Sequence, residues 1–538
     1  MTVALTVDGV AVDLDDTGGS LLDALRDQLG VTSVKDGCSP QGQCGCCTVL
    51  VDGKPRVACV TPLRRVAGRS VTTVDGLPAG RRDALVDAFV AHGASQCGFC
   101  TPGILCRLAA HEDGADVVAV EASLLAHLCR CTGWRTVVDA GVAALDPSRS
   151  PAAPGPGSPA PTAVVDGAER RAAMEGGVAQ QVGADVVLGR GGFSADTAPR
   201  GALVAVPDGA GDWAVAATLQ AARALVGKVQ GRRSGQRVHP PIEVPAGEWA
   251  LTLATSWVEP GYLEPDASWC EPGGEPSSPL ANGGAFGAKS DSPAPAAARM
   301  LADRHGATVL AVLSREDVVR LGAKRPPVAA GVRADGTGVL RVARTPGIAE
   351  AVASAGPGLV VQEVDVIGPP TSAQVRAAGW AEAAVLLAGL RAMRDGPPPA
   401  GRATATVSAP AGGTAEATVT VNPEGLATAV EVTVFAGAAL DEVVLRSYVT
   451  GAAHMALGWV TTEGLAVDDD GVPEDLTIRS WGILRARDTP PVAVHLAQAP
   501  AGAPAVAVSD ATFAAVAAAT WIALGLPPAW PTSRGAPR

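Results

Sequence analysis

Aromatic side chains are scarce in this chain: 2 Tyr, 6 Phe and 10 Trp among 538 residues. A folded interior must come mainly from Ala, Val and Leu, and a hydrophobic content of 47% is ample for one. Long apolar runs are lacking as well. None reaches the roughly 18 residues that a membrane span needs, so no membrane partner is expected. Positive charge is in deficit: Lys plus Arg total 42 against 54 for Asp plus Glu, a net −12. An acidic chain argues against nucleic acid and anionic lipid as partners. Met1–Val10 has no basic start followed by an apolar run, so no secretory signal is expected and the cytoplasm is the expected location.

Cysteine is present in an organised form. The first group reads Cys38-x5-Cys44-x2-Cys47-x11-Cys59, and the second reads Cys97-x2-Cys100 followed by Cys129-x-Cys131. Disulfides need an oxidising compartment, and a chain of this length needs no staples. Thiolates are soft ligands that suit zinc and iron–sulfur clusters. Cys97-Gly98-Phe99-Cys100 alone could be half of a zinc knuckle. The first group instead sits among glycines, from Gly37 to Cys47, close to the plant-type ferredoxin spacing C-x4-C-x2-C…C. Glycines there suit a loop whose amides turn inward onto cluster sulfurs. One residue is inserted relative to that spacing, and Cys46 is an extra thiol. Cys47 is preferred over Cys46 as the ligand because it keeps the x2 step. Two sets of four thiols predict two metal centres.

The length suggests several domains, at about 150 residues each. Residues 1–75 read as a β-grasp ferredoxin-like [2Fe-2S] domain. Val3–Thr6 and Val10–Leu14 flank Asp8-Gly9, and Thr48–Val51 and Arg56–Val60 flank Asp52-Gly53. Between the hairpins, Ser20 is a plausible N-cap for a helix carrying Leu21, Leu22, Leu25 and Leu29, and Ser70–Val74 is a last strand. Residues 76–146 carry apolar residues at helical spacing over Arg81–His92, Thr101–His111, Val117–Leu128 and Trp134–Leu145. They predict a four-helix [2Fe-2S] domain with the second cysteine group at helix ends. Residues 147–162, with six prolines, read as a linker. Residues 163–538 form a larger α+β region: Trp380–Met393 and Asp510–Leu524 look helical, while Ala403–Val407, Ala415–Val421 and Ala429–Val434 look like strands.

These blocks resemble the molybdenum hydroxylase family, that of xanthine dehydrogenase, aldehyde oxidase and carbon monoxide dehydrogenase. Val34–Val49 looks like its first-cluster loop, and Gln96–Gly103 with Leu128–Trp134 looks like its second-cluster motifs. The resemblance implies [2Fe-2S] clusters on Cys38, Cys44, Cys47 and Cys59 and on Cys97, Cys100, Cys129 and Cys131. It implies that Gln96 and Cys131 lie close to a molybdopterin cofactor. Asn282-Gly283-Gly284-Ala285-Phe286-Gly287-Ala288-Lys289 is similar to the family's cofactor loop, so Gly283, Gly284, Phe286 and Gly287 are cofactor-binding candidates. Tyr262–Pro265, and Gly451–Gly458 with Thr462-Glu463, resemble further family segments. Arg376-Ala377-Ala378-Gly379 resembles its substrate-side loop, which makes Arg376 the catalytic candidate.

Three departures follow the resemblance. Ser290 stands after Lys289, where the family usually has glutamate. The family's base is a glutamate in a Gly-x-Gly-Glu motif near the C-terminus, and no glutamate occurs between Pro490 and Ala519. The cofactor-like part is also shorter than the family's. No flavin-binding stretch is recognisable, since Gly189–Gly192 reads as a turn. FAD is therefore expected only on a partner chain, alongside a further molybdopterin-binding subunit and a small-molecule substrate. The expected function is an iron–sulfur oxidoreductase component. Its alternative is an electron-transfer subunit whose molybdopterin-like domain is a non-catalytic scaffold. Glu259, Glu264 and Glu382 are the remaining candidates for a base.

Overall fold

A computed structural model describes residues 2–146, 148, 161–227, 238–394, 396 and 398–533. The Pro-rich stretch expected as a linker, 147–162, lies almost wholly outside the described residues.

The chain begins with a five-stranded sheet in the order Val10–Asp15, Thr2–Val7, Ser70–Thr72, Thr48–Val51, Lys54–Val57. Both hairpin turns take left-handed backbone where the sequence places Asp-Gly. Asp8 and Gly9 have φ of 50° and 83°, and Asp52 and Gly53 have 47° and 73°. This pairing matches the twist of the flanking strands. Thr2–Val7 pairs parallel with Ser70–Thr72, which gives the β-grasp its mixed centre. Ser20 caps the intervening helix through a reciprocal bond with Asp23. That helix widens into a π turn over Ala24–Gln28 instead of running regularly to Gly30. The second hairpin strand stops at Val57, and Cys59 sits in a 3-10 turn, Ala58–Val60.

Four helices follow: Ala79–Ala91, Thr101–Ala109, Val117–Ser123 and Arg135–Leu145. Each cysteine pair lies at a helix start. Cys100 immediately precedes Thr101–Ala109, and Cys129 and Cys131 precede Arg135–Leu145.

The larger region contains three sheets among the described residues. One joins Trp213–Ala216, Leu203–Pro207, Val309–Val312 and Ala267–Cys270. A second joins Leu359–Val364, Gly338–Ala343, Val328–Val332, Leu251–Thr255 and Ala529–Trp530. The third joins Arg402–Ser408, Thr414–Val421, Ala427–Phe435 and Val492–Leu496. Beyond Asp510, helix Ser509–Ala523 is buried all round, with Ala511, Ala514, Ala515, Ala517, Ala518 and Ala519 all without exposure. It packs between helix Glu442–Thr461 and the third sheet. Alanine lets these elements approach closely. The few aromatics concentrate beside it: Trp459 stacks on Phe513 at 5.0 Å and meets Trp530 edge-on at 4.8 Å. The α+β class is thus as expected, with the Ala/Val/Leu interior supplemented by one aromatic cluster.

Candidate functional site

The first thiol group is assembled by one loop and one turn. Cys38 Sγ accepts backbone N–H bonds from Gln41 (3.2 Å) and Gln43 (3.4 Å), and Cys47 Sγ accepts one from Cys59 (3.4 Å). The sulfurs form a continuous string in which Cys38 touches Cys44 and Cys59, and Cys59 touches Cys47. Cys46 adds a fifth buried thiol against Cys44. Gly37 is closely approached, and a Cβ there would lie 3.0 Å from Cys46 Sγ and 3.1 Å from Cys44 Sγ.

The second group meets in twos. Cys97 and Cys131 sulfurs are 3.6 Å apart, and Cys100 contacts Cys129. Among the described residues no three or more His, Cys, Asp or Glu converge as a single ion would require. Pairs of thiols fit a [2Fe-2S] cluster instead, where four thiolates divide between two irons. The Cys129 thiol is pulled down to about 6, first by the bond from Cys100, then against desolvation by Thr132.

Distant parts of the chain hold this second group. Arg130, between Cys129 and Cys131, makes a bidentate pair with Glu463 at 2.6 and 2.5 Å and donates to Pro260 O at 2.9 Å. Gly451 packs so closely that a Cβ would lie 1.8 Å from Cys131 O. Gly284 lies directly on the Cys97–Cys131 pair, with a hypothetical Cβ 2.9 Å from Cys97 Cβ. Asn282 Nδ2 donates to Cys97 O at 3.1 Å. Gln96 Nε2 donates to Cys131 O and Ser447 Oγ, each at 3.0 Å. The glycine loop and Gln96 therefore converge on one side of the second thiol group.

The Phe286 and Arg376 loops face each other there. Arg376 N donates to Phe286 O at 3.1 Å, and the guanidinium carbon lies 4.1 Å from the Phe286 ring centre. Phe286, Arg376 and Ala377 all have positive φ (55°, 50° and 51°), as do Gly283, Gly284 and Gly287. Strained non-glycine backbone gathered in two facing loops marks a built site. Arg376 Nη2 reaches Met455 Sδ at 2.7 Å, and desolvation lowers its pKa to about 10.

The three glutamates considered as bases are all engaged. Glu259 pairs with Lys324 at 2.9 Å, Glu264 with Lys289 at 2.8 Å and Glu382 with Arg325 at 2.7 Å. Sequence reasoning missed Asp510. It is the acidic residue in the first turn of helix Ser509–Ala523. Its side chain keeps accessible surface, yet surrounding protein desolvates it and raises its pKa, offset in part by Arg376 and Arg325. Its signal in the sequence is a carboxylate at the head of an expected helix, where the family's motif would have a glutamate.

The remaining candidates have quiet roles. Cys106 and Cys270 are buried, and His454 bonds Leu484 O at 3.1 Å. Asp468–Gly471 is a turn closed by Asp468 Oδ1. No described helix is long and apolar enough to cross a membrane.

Comparison with known proteins agrees with this geometry. The family model for a 2Fe-2S iron-sulfur cluster binding domain matches residues 5–65, and that for a [2Fe-2S] binding domain matches residues 73–141. The xanthine dehydrogenase iron-sulfur-binding subunit of Escherichia coli O157:H7 is 34% identical over 145 residues, covering 26% of this chain and 91% of that protein. The aldehyde oxidoreductase of Megalodesulfovibrio gigas is 41% identical over 148 residues, 25% of this chain but only 16% of that protein's length. Over the whole fold, a structure of the aldehyde oxidoreductase from Desulfovibrio gigas superposes with a TM-score of 0.70 at 15% identity, covering 96% of this chain and 97% of that one.

Proposed function

The chain belongs to the molybdenum hydroxylase family, and from that premise we propose that it is an oxidoreductase component passing electrons from a molybdopterin site through two [2Fe-2S] clusters to a flavoprotein partner. The observation that carries the reading is the placement of the Gly283–Gly287 loop and Gln96 directly on the Cys97–Cys131 pair. An oxidation site on that loop would lie next to the second cluster, with the first cluster beyond it.

Cys97, Cys100, Cys129 and Cys131 would hold the second cluster, and Cys38, Cys44, Cys47 and Cys59 the first. The positive-φ amides of Gly283, Gly284, Phe286 and Gly287 would cradle the cofactor. Bound there, a molybdenum cofactor would supply the two-electron oxidation of a substrate carbon, and the clusters one-electron transport. Asp510 would accept the substrate-side proton, because a raised carboxyl pKa makes it a stronger base than an ordinary aspartate. Arg376 would stabilise negative charge developing on the substrate. A small molecule is the substrate, and a FAD-binding subunit takes the electrons. A second molybdopterin-binding subunit would complete the shortened pocket. Thiolate-ligated clusters suit the reducing cytoplasm.

The test is metal content and turnover of the purified chain with its flavoprotein partner. Two clusters require about four irons per chain, and stoichiometric zinc would end the reading. Asp510→Asn should cut turnover by roughly 10²–10⁴-fold with both cluster signals intact. In the parent protein turnover should rise with pH, its midpoint displaced above the usual carboxylate range. Molybdenum-free protein that still passes electrons to the flavoprotein would leave the larger region as a scaffold.

A further inference from the structure

Arg315 is a fully buried cation whose hydrogen-bond partners, among the described residues, are carbonyls. Its side chain has no exposure. Nε and Nη2 donate to Gly37 O at 3.2 and 2.7 Å, Nη2 also donates to Leu263 O at 2.7 Å, and Nη1 has no partner. Lys35, Arg171, Lys289, Lys324 and Arg325 are equally buried, and each has a carboxylate. For Arg315 no carboxylate lies within ion-pair distance among the described residues. Nearby Asp266 accepts the Tyr262 hydroxyl instead, at 2.6 Å, and Glu316 accepts from Gln41 at 2.9 Å. A guanidinium taken out of water without an anion costs several kcal/mol, so an anion is expected beside it.

The adjacent group that can supply one is the first thiol set. Arg315 holds the carbonyl of the Gly37–Cys38 peptide. The face of Gly37 that a Cβ would occupy touches Cys44 Sγ, Cys46 Sγ and Leu263 O together. A [2Fe-2S] cluster on four thiolates is anionic, and one-electron reduction adds a further negative charge without making or breaking a bond. Arg479 also reaches this loop, through Gln43 O at 2.8 Å, but it is partly exposed and water screens it.

We propose that Arg315 is a tuning residue for the first cluster, raising its reduction potential by holding an unneutralised positive charge against the Cys38 peptide. Charge and hydrogen bonding around the sulfurs set cluster potentials, and a buried cation favours the reduced, more negative form. This rests on the reading that Cys38, Cys44, Cys47 and Cys59 hold a cluster.

The experiment is a dithionite redox titration of the whole protein followed by electron paramagnetic resonance, with the second cluster as internal reference. Arg315→Gln keeps a donor without charge, and Arg315→Lys keeps charge without the fork. The expected result is a lowered first-cluster potential in the Gln variant, little change in the Lys variant and an unmoved second cluster in both. An unchanged potential in the Gln variant, or equal shifts in both variants, overturns the proposal. If the Gln variant assembles no first cluster, the Lys variant decides alone: a parental potential supports the charge, and a lowered one refutes it. A parent protein without a first cluster would instead defeat the underlying reading, before any potential is measured.

Discussion

The two thiol groups solve one problem in opposite ways. In the first, the chain within 22 residues supplies every sulfur, and local backbone N–H groups bond them from Gln41, Gln43 and Cys59. In the second, helix ends present the cysteines, but residues far along the chain lock them: Gly284, Gly451 and Glu463. The first loop also meets remote donors, Arg315 at Gly37 O and Arg479 at Gln43 O, but the N–H groups on its sulfurs are its own. A junction of helices needs neighbours, and here the larger region provides them. The difference predicts where each group is vulnerable.

The largest effects come from the ligands themselves. Cys47→Ala should remove the first cluster and halve the iron from about four to about two, whereas Cys129→Ala should remove only the second paramagnetic signal. Cys46→Ala should keep both signals. Loss of the first signal in Cys46→Ala but not in Cys47→Ala would show that the inserted residue shifts the register of the loop.

Disruption at Glu463 or Gly284 should touch only the second group. Glu463→Gln breaks a pair whose members are 5% and 2% exposed and should cost about 3–5 kcal/mol in urea unfolding. It should also broaden the second signal and spare the first. Gly284→Ala should cost about 1–3 kcal/mol by overpacking and perturb the same signal. An equal disturbance of both signals by either variant would erase the distinction between local and remote support.

The smallest effect is in acid. Burial holds His127, beside the first-group loop, and His454, behind the second, neutral with pKa values of about 3 against an ordinary 6.5. Below pH 6.5 the unfolded chain takes up protons that the folded chain refuses, so stability falls as pH drops towards 3 and is flat above 6.5. At pH 5.5 each should cost about 1 kcal/mol. Urea midpoints at pH 7.5 and 5.5 check this, and His454→Gln should reduce the difference by half.

What could be read in the sequence follows the same division. The β-grasp hairpins were legible because Asp-Gly turns and strand alternation are local, and so was the thiol spacing of the first group. Helices Trp380–Ala392 and Ser509–Ala523 were visible from composition. The Arg130–Glu463 pair was not, since nothing in Cys-Arg-Cys indicates a partner 333 residues away. Arg315 and Asp510 were hidden for a related reason. A charged residue looks like surface until the fold shows what surrounds it. The strand expected through Val60 ended at Val57 because Cys59 must turn towards Cys47.

The Arg130–Glu463 clamp also sets a timetable. Ribosomes add about 5–20 residues each second, and Glu463 is synthesised 333 residues after Arg130. All the cysteines of both groups therefore emerge roughly 15–70 s before the clamp can close. During that interval the Cys129–Cys131 loop has neither Glu463 nor Gly451 against it. Iron and sulfide delivered early meet an open site; delivered late, they must work past a buried salt bridge.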